Sequence, residues 1–94
     1  MDMQTIVCAT QQYRDTLDDS GIVPQRIDEH SRFADVSVNQ LLQHARYLCD
    51  SVLDFAQHSD KTHKTNRHYA ALQMCLSFAG WYTLGDIMNH SRPQ

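Results

Sequence analysis

The segment SVNQLLQHARYLCDSVLDFA, residues 37–56, carries the clearest helix signal in this 94-residue chain. Ser37 and Gln40 have the spacing of a capping box, in which each side chain accepts a hydrogen bond from the other residue's backbone N–H. Apolar residues then recur every three or four positions, as on one face of a helix: Val38, Leu41, Ala45, Leu48, Val52 and Phe55. The segment therefore predicts a helix over residues 38–58.

A second long helix is predicted over residues 66–82, with Tyr69, Leu72, Cys75, Leu76 and Ala79 on its apolar side. The polar segment SDKTHKTN, residues 59–66, predicts a loop between the two helices. Because a short connection makes neighbouring helices antiparallel, we expect a hairpin whose facing residue numbers sum to about 124. This register places Val52 opposite Leu72, Leu48 opposite Leu76, and Ala45 opposite Ala79.

Shorter helices are predicted on both sides of the hairpin. Apolar spacing predicts a helix over residues 3–17, which Ser20 and Gly21 end, and a short helix over residues 27–34. Thr83 and Asp86 repeat the capping-box spacing and predict a helix over residues 84–90, which Pro93 stops. Trp81 and Tyr82 are expected to fill the elbow before this last helix, and a binding patch at these two aromatics is the alternative.

The predicted fold is one all-α domain over residues 1–94. Residues 1–36 form an N-terminal helical arm, and residues 37–94 form a long antiparallel helical hairpin plus a short C-terminal helix. The apolar residues extend beyond one helix–helix seam, and a chain this short buries little surface alone. We therefore expect the chain to assemble as an oligomeric bundle, a homodimer or another symmetric oligomer.

Composition limits the function classes. The net charge is −3 and the isoelectric point is about 6.0, whereas DNA-binding domains are usually basic. No apolar run approaches the roughly 18 residues of a membrane span, and the N-terminus lacks a signal-peptide pattern. We expect a soluble cytoplasmic protein that contacts no membrane.

The three cysteines Cys8, Cys49 and Cys75 fit free thiols in a reducing compartment. The hairpin register places Cys49 and Cys75 at one level, where a redox pair is conceivable. Buried cysteine more often acts as a small apolar residue, which is the favoured interpretation.

Six histidines raise the question of a metal site. His58, His63 and His68 are each five residues apart, and this spacing does not align two imidazoles on one helix face. No HExxH or CxxC motif occurs, and we identify no nucleophile, acid–base pair or phosphate loop. The sequence predicts no metal, no cofactor, no catalytic residue and no enzymatic activity.

The predicted hairpin loop is basic. Lys61, His63, Lys64 and Arg67 lie within seven residues, while residues 1–36 carry seven acids against three arginines. This basic tip is a candidate contact for phosphates or for an acidic protein. An ordinary solvated loop is the plainer interpretation, and contact with the acidic segment of a second copy is another.

The segments LLQHARYLCDSVLDFA and NRHYAALQMCLSFAGWYTLGDIMNHSRP, within residues 41–93, resemble small accessory proteins encoded by bacteriophages and prophages. The resemblance implies an early-expressed, non-enzymatic protein that binds a host or defence component. We expect a phage protein that inhibits or redirects a bacterial host or defence protein complex in the host cytoplasm, for example as an anti-CRISPR-type protein or an inhibitor of a DNA-processing enzyme. The alternative is a small nucleic-acid or nucleotide-binding regulatory module that uses the basic tip.

Overall fold

The computed structural model describes residues 2–92, in which every regular element is helical. The four α-helices are α1 (Met3–Asp19), α2 (Val38–Phe55), α3 (Thr62–Phe78) and α4 (Leu84–His90). The radius of gyration is 12.6 Å, as expected for a compact chain of this length. The all-α prediction is confirmed, while the predicted stop at Pro93 lies outside the described residues.

Both predicted capping boxes are present. Gln40 N–H donates to Ser37 Oγ at 3.1 Å, and Ser37 N–H donates to Gln40 Oε1 at 2.9 Å. The Thr83–Asp86 pair repeats this exchange at 3.1 and 3.0 Å. Each box satisfies backbone N–H groups that a helix start leaves without an internal partner, which fixes the starts of α2 and α4 where the sequence predicts them.

Glycines end α1 and α3 in left-handed backbone conformations. Gly21 has φ +75° and Gly80 has φ +88°, values that side chains disfavour. The following residue closes each helix end: Ile22 N–H donates to Leu17 O, and Trp81 N–H donates to the Leu76 carbonyl oxygen, both at 3.0 Å. Because the chain reverses at Gly80, α3 ends at Phe78, and the predicted extension to residue 82 is wrong.

The connection between α2 and α3 is shorter than predicted. α2 ends at Phe55, three residues before the predicted end, and a 3-10 turn over Ser59–Lys61 leads directly into α3 at Thr62. Thr62 and Thr65 donate their hydroxyls to the carbonyl oxygens of Ser59 and Lys61, at 3.1 and 2.9 Å. These polar residues are therefore compatible with helix, and the predicted loop over residues 59–66 is wrong.

The predicted helix over residues 27–34 is also wrong. This segment is irregular and contains one 3-10 turn, Phe33–Asp35. Gln25 N–H donates to the Gln43 carbonyl oxygen at 3.1 Å, and Ile27 N–H donates to His44 Nδ1 at 3.0 Å. The N–H groups of Gln25 and Ile27 are thus bonded to α2, and Ile27 is buried.

One buried cluster joins α1, α2 and α3. α2 and α3 make the most extensive contact between helices, and α1 packs on α2. α1 contributes Ile6, Ala9, Tyr13 and Leu17 to this cluster. Burying an aliphatic side chain of this kind stabilises the fold by roughly 1.5–3 kcal/mol before conformational entropy is subtracted.

The residues of the proposed register are inside the protein. Ala45, Leu48, Val52, Leu72 and Leu76 are buried, and Ala79 is half-buried against the cluster. Burial is required by the pairing but does not establish which residues face each other, so the register stays a prediction. No helix in the described part of the chain is long and apolar enough to cross a membrane.

Candidate functional site

The residues of the predicted basic tip lie at the start of α3. Lys61 ends the preceding 3-10 turn, and His63, Lys64 and Arg67 belong to the first turns of the helix. Among the ion pairs of residues 2–92, none involves Lys61, Lys64 or Arg67. Their positive charges are therefore not neutralised by a neighbouring carboxylate.

Lys61 and Lys64 share a contact with one aromatic ring. Their Nζ atoms lie 5.5 and 5.3 Å from the centroid of the Phe55 ring, at the end of α2. A cation over an aromatic face is attracted to it by roughly 0.5–1 kcal/mol at an exposed site. The two lysines thus fasten the start of α3 to the end of α2 while their charges remain accessible.

Arg67 has different surroundings from the two lysines. It lines a cavity of about 350 Å³ together with residues of α2, α3 and the segment before α2: Arg26, His44, Tyr47, Leu48, His68 and Ala71. The cavity combines two arginines and two histidines with an apolar wall. The sequence pattern did not single out Arg26 or His44, because they lie 41 and 23 residues before Arg67 and only the fold brings them to one place.

The solvent-facing side of α3 changes character along the helix. His63, Arg67, Ala70, Met74 and Phe78 are all exposed, and their spacings of three or four residues put them on one face. We call this set the α3 stripe. Its first part is basic and its last part is apolar, with Phe78 70% exposed and Met74 40% exposed. The exposed face of α3 thus carries cations near its start and large apolar side chains near its end.

The aromatic elbow residues Trp81 and Tyr82 are both half-buried against the core cluster. The Tyr82 ring lies 5.7 Å from the Tyr13 ring and 4.8 Å from the His90 ring, edge-to-face with the latter. The Trp81 ring meets that of Tyr82 edge-to-face at 6.4 Å. These contacts within the protein favour the structural interpretation of the elbow over a binding patch.

Beside the elbow, hydrogen bonds join five side chains of α1, α3 and the end of α4. We call them the closed cluster: Tyr13, Tyr69, Gln73, His90 and Ser91. Gln73 Nε2 lies 3.0 Å from the hydroxyls of Tyr69 and Ser91 and 3.3 Å from that of Tyr13, so its two N–H groups are shared among three acceptors. The Tyr13 hydroxyl is 2.7 Å from His90 Nδ1, and the Tyr69 hydroxyl is 3.1 Å from Ser91 Oγ.

Burial raises the pKa of both tyrosines in the closed cluster, so their hydroxyls remain neutral hydrogen-bonding groups. Each hydroxyl of the cluster has at least one partner within it. This arrangement ties α4 to α1 and α3, which is a structural role.

A second cavity, of about 340 Å³, lies between α1 and the end of α4. Its lining includes the Asp2 carboxylate, the Arg92 guanidinium and the exposed Cys8 thiol. The cavity thus combines one acid with one arginine, and His90 also lines it.

Cys49 and Cys75 are free thiols with no solvent exposure, and both belong to the core cluster. Burial raises the pKa of the Cys49 thiol to about 12 and that of Cys75 to about 11. Thiolates are the reactive form, so both residues should react slowly with thiol reagents in the folded protein. The interpretation of these cysteines as core residues is consistent with their surroundings.

Within residues 2–92, no group of three or more His, Cys, Asp or Glu side chains is placed to hold a metal ion. Comparison of the chain with protein-family models, curated proteins and solved structures finds no match.

Proposed function

We propose that this chain is a non-enzymatic binding protein of a bacteriophage or prophage. In this proposal it acts in the host cytoplasm, where it inhibits or redirects a bacterial host or defence protein complex, as an anti-CRISPR-type protein or an inhibitor of a DNA-processing enzyme does. The observation that supports binding as its activity is the α3 stripe, which is basic at one end and apolar at the other.

The apolar end of the stripe supplies the affinity in this proposal. A phenylalanine that is 70% exposed gains little from the chain's own fold, and Met74 lies one helical turn from it on the same face. Aromatic side chains that fill a pocket on a partner are frequent centres of binding energy. Phe78 is therefore the proposed anchor.

The basic end supplies orientation and speed of association. His63 and Arg67 lie on the stripe, and Lys61 and Lys64 lie beside its start, without a carboxylate partner in residues 2–92. Complementary charge mainly raises association rates and fixes the docking direction. The partner we propose is a bacterial protein with an acidic surface next to an apolar pocket.

The finer arrangement of the helices belongs to the same proposal. α2 and α3 are taken to form an antiparallel hairpin whose tip is the connection over residues 56–61. The cations then lie at the tip and Phe78 at the opposite end of α3. A partner that contacts both must extend along the whole helix, about 25 Å for 17 residues.

The test compares two matched pairs of exposed apolar residues. Met74→Ser with Phe78→Ser alters the stripe, whereas Leu84→Ser with Met88→Ser alters a pair of similar exposure and spacing on α4. The tagged wild-type chain is used to capture proteins from nuclease-treated bacterial lysate, and the captured protein is identified and its affinity measured. We expect the stripe variant to weaken binding at least about 30-fold, the loss of one hot-spot residue, and the α4 variant to weaken it less than about threefold. Binding that survives the stripe variant contradicts the proposal.

In the homodimer expected from the sequence, a second copy of the chain would be the competing partner for the stripe. The acidic residues of one copy would then face the basic end of another. Light scattering at micromolar concentration separates the two: the proposal expects wild type and the stripe variant to have the same mass. A dimer that Phe78→Ser converts to the 10.9 kDa monomer assigns the stripe to a second copy instead.

The unpaired cations also favour the second candidate, a nucleic-acid or nucleotide-binding module. Replacing Lys61, Lys64 and Arg67 together by glutamine distinguishes the candidates. If the partner is an acidic protein, we expect slower association and only a moderate change in salt dependence. If it is nucleic acid, losing three phosphate contacts lowers the slope of log affinity against log salt by about 2.7, and nuclease treatment abolishes capture.

A further inference from the structure

His44 presents a hydrogen-bond donor that no described residue accepts. It is 9% exposed, and its Nδ1 accepts the Ile27 N–H at 3.0 Å. Nδ1 therefore carries no proton, and the proton of the neutral ring is on Nε2. Among residues 2–92, Nε2 has no hydrogen-bond partner, and His44 lines the 350 Å³ cavity. A donor held this firmly beside a cavity is suited to an acceptor that comes from outside.

Three further groups on the cavity wall carry or can take positive charge. Arg26 comes from the segment before α2, and Arg67 and His68 come from α3. We call them, with His44, the open cluster. His68 Nδ1 lies 2.8 Å from the Lys64 carbonyl oxygen and so donates to it, which leaves Nε2 without a described partner.

The open cluster has little negative charge to balance it. The carboxylate paired with Arg26 is Glu29 at 3.9 Å, a solvent-exposed contact that contributes little. Burial, Arg26 and His68, in that order, lower the pKa of His44. The cavity wall therefore carries two guanidinium groups and a neutral N–H donor.

This combination matches the chemistry of a phosphate group. A guanidinium offers parallel N–H groups to two phosphate oxygens, and two guanidiniums with an imidazole N–H can serve three oxygens at once. Tyr47, Leu48 and Ala71 form a wall against which the organic part of a ligand can pack. A volume of about 350 Å³ is at the lower end of the range for small-molecule sites.

We propose that the open cluster is a binding site for a small phosphomonoester, whose phosphate group lies between Arg26, Arg67 and His44 and whose organic part contacts Tyr47. A small ligand is favoured over a nucleic-acid chain because the protein has a net charge of −3 and seven acids in residues 1–36, which repel an extended polyanion. The site is distinct from the apolar end of the α3 stripe, although Arg67 belongs both to the site and to the basic end of the stripe.

The test titrates the full chain with adenosine monophosphate and with inorganic phosphate at constant ionic strength, and follows backbone amide signals by NMR. Adenosine serves as the uncharged control. We expect saturable binding of adenosine monophosphate, weaker saturable binding of phosphate, and no binding of adenosine. The largest shifts should occur at Ile27, His44 and Arg67.

Substitutions separate a built site from general electrostatic attraction. Arg26→Gln and Arg67→Gln should each weaken the binding of adenosine monophosphate at least about tenfold, because each removes charged hydrogen bonds. Lys64→Gln makes the same charge change one turn from Arg67 but does not line the cavity, and should weaken binding less than about twofold. All three side chains are on the surface, so we expect the variants to keep the fold. Melting temperatures close to that of the wild type would show this.

Three results would overturn the proposal. The first is the lack of saturable shifts with either phosphate probe up to millimolar concentrations. The second is equal weakening by Lys64→Gln and Arg67→Gln, which indicates diffuse attraction. The third is tighter, Arg26-dependent binding of a single-stranded oligonucleotide, which assigns the cavity to nucleic acid. The proposed function is tested separately. If the Arg26→Gln variant still captures the protein partner at wild-type strength, failure of the phosphate proposal leaves the proposed function standing.

Discussion

The molecule contains two clusters of polar side chains that differ in how their hydrogen bonds are used. In the closed cluster, the two N–H groups of Gln73 are shared among three hydroxyls, and each of those hydroxyls has a partner inside the protein. In the open cluster, His44 Nε2 has no partner among residues 2–92, and Arg67 has no carboxylate there. Buried polar groups that satisfy each other stabilise a fold, whereas donors that face a cavity without a protein partner are free to bond a ligand.

The chemistry of the two sets of residues explains the difference. The hydroxyls of tyrosine and serine and the amide of glutamine both donate and accept hydrogen bonds. A small group of these side chains can therefore satisfy one another. Arginine only donates, and the neutral His44 ring has already used its acceptor on Ile27. The two arginines and His44 are thus donors, which need acceptors from water or from a bound anion.

The largest effect is expected from breaking the closed cluster at its centre. Gln73→Leu keeps a side chain of similar length but removes the two N–H groups that three neighbouring hydroxyls share. We expect the free energy of unfolding to fall by about 2–3 kcal/mol, measured by urea denaturation, because buried oxygens lose their donors. A loss below about 0.5 kcal/mol would show that the cluster does not hold α4 in place.

A matched pair of tyrosine variants sharpens the comparison. Tyr13→Phe removes a hydroxyl that is bonded to Gln73 and His90, and should lower the free energy of unfolding by about 1 kcal/mol. Tyr47→Phe removes a hydroxyl beside the open cluster that makes no bond within the described residues, and should change it by less than about 0.5 kcal/mol. Equal losses from the two variants would contradict the distinction between the clusters.

A smaller effect is expected from pH. The pKa of His44 is lowered from its ordinary 6.5 in the folded protein, so the unfolded chain takes up this proton first as the pH falls. The free energy of unfolding should therefore decrease as the pH drops through about 6.5 and continue to decrease down to the folded-state pKa. Above that range the pH has no effect through this residue.

His44→Gln should remove this part of the pH dependence, which urea denaturation at a series of pH values measures. Saturating phosphate should reduce it in wild type, because an anion beside Arg26 and His68 favours the protonated ring. The same pH dependence in wild type and variant would show that His44 does not titrate as its surroundings require.

The parts of the fold that the sequence predicts are those set by local interactions. Ser37 with Gln40 and Thr83 with Asp86 are three residues apart, so their spacing alone predicts the starts of α2 and α4. The helix predicted over residues 27–34 does not form, and the first residue of that segment, Ile27, is bonded to His44 of α2, 17 residues along the chain. A pattern of apolar residues contains no information about such a partner.

The candidate sites show the same limit. Composition identified Lys61, His63, Lys64 and Arg67 as a basic group, but Arg67 lies with Arg26 and His44 instead of acting only with the lysines. Helical periodicity, applied to exposed instead of buried positions, is the signal that would have linked Arg67 to Phe78. The open cluster had no such signal, since it depends on the packing of α2, α3 and the segment before α2.

The central claim, that one cluster is closed and the other awaits a ligand, can be tested by a long-range ¹H–¹⁵N NMR spectrum of the histidine rings at neutral pH. We expect His44 as the neutral Nε2–H tautomer, with ring signals that move when phosphate replaces chloride at constant ionic strength. The ring signals of His90 should move less, because His90 does not line the cavity of the open cluster. A proton on Nδ1 of His44, or equal shifts of both rings on adding phosphate, would contradict the account.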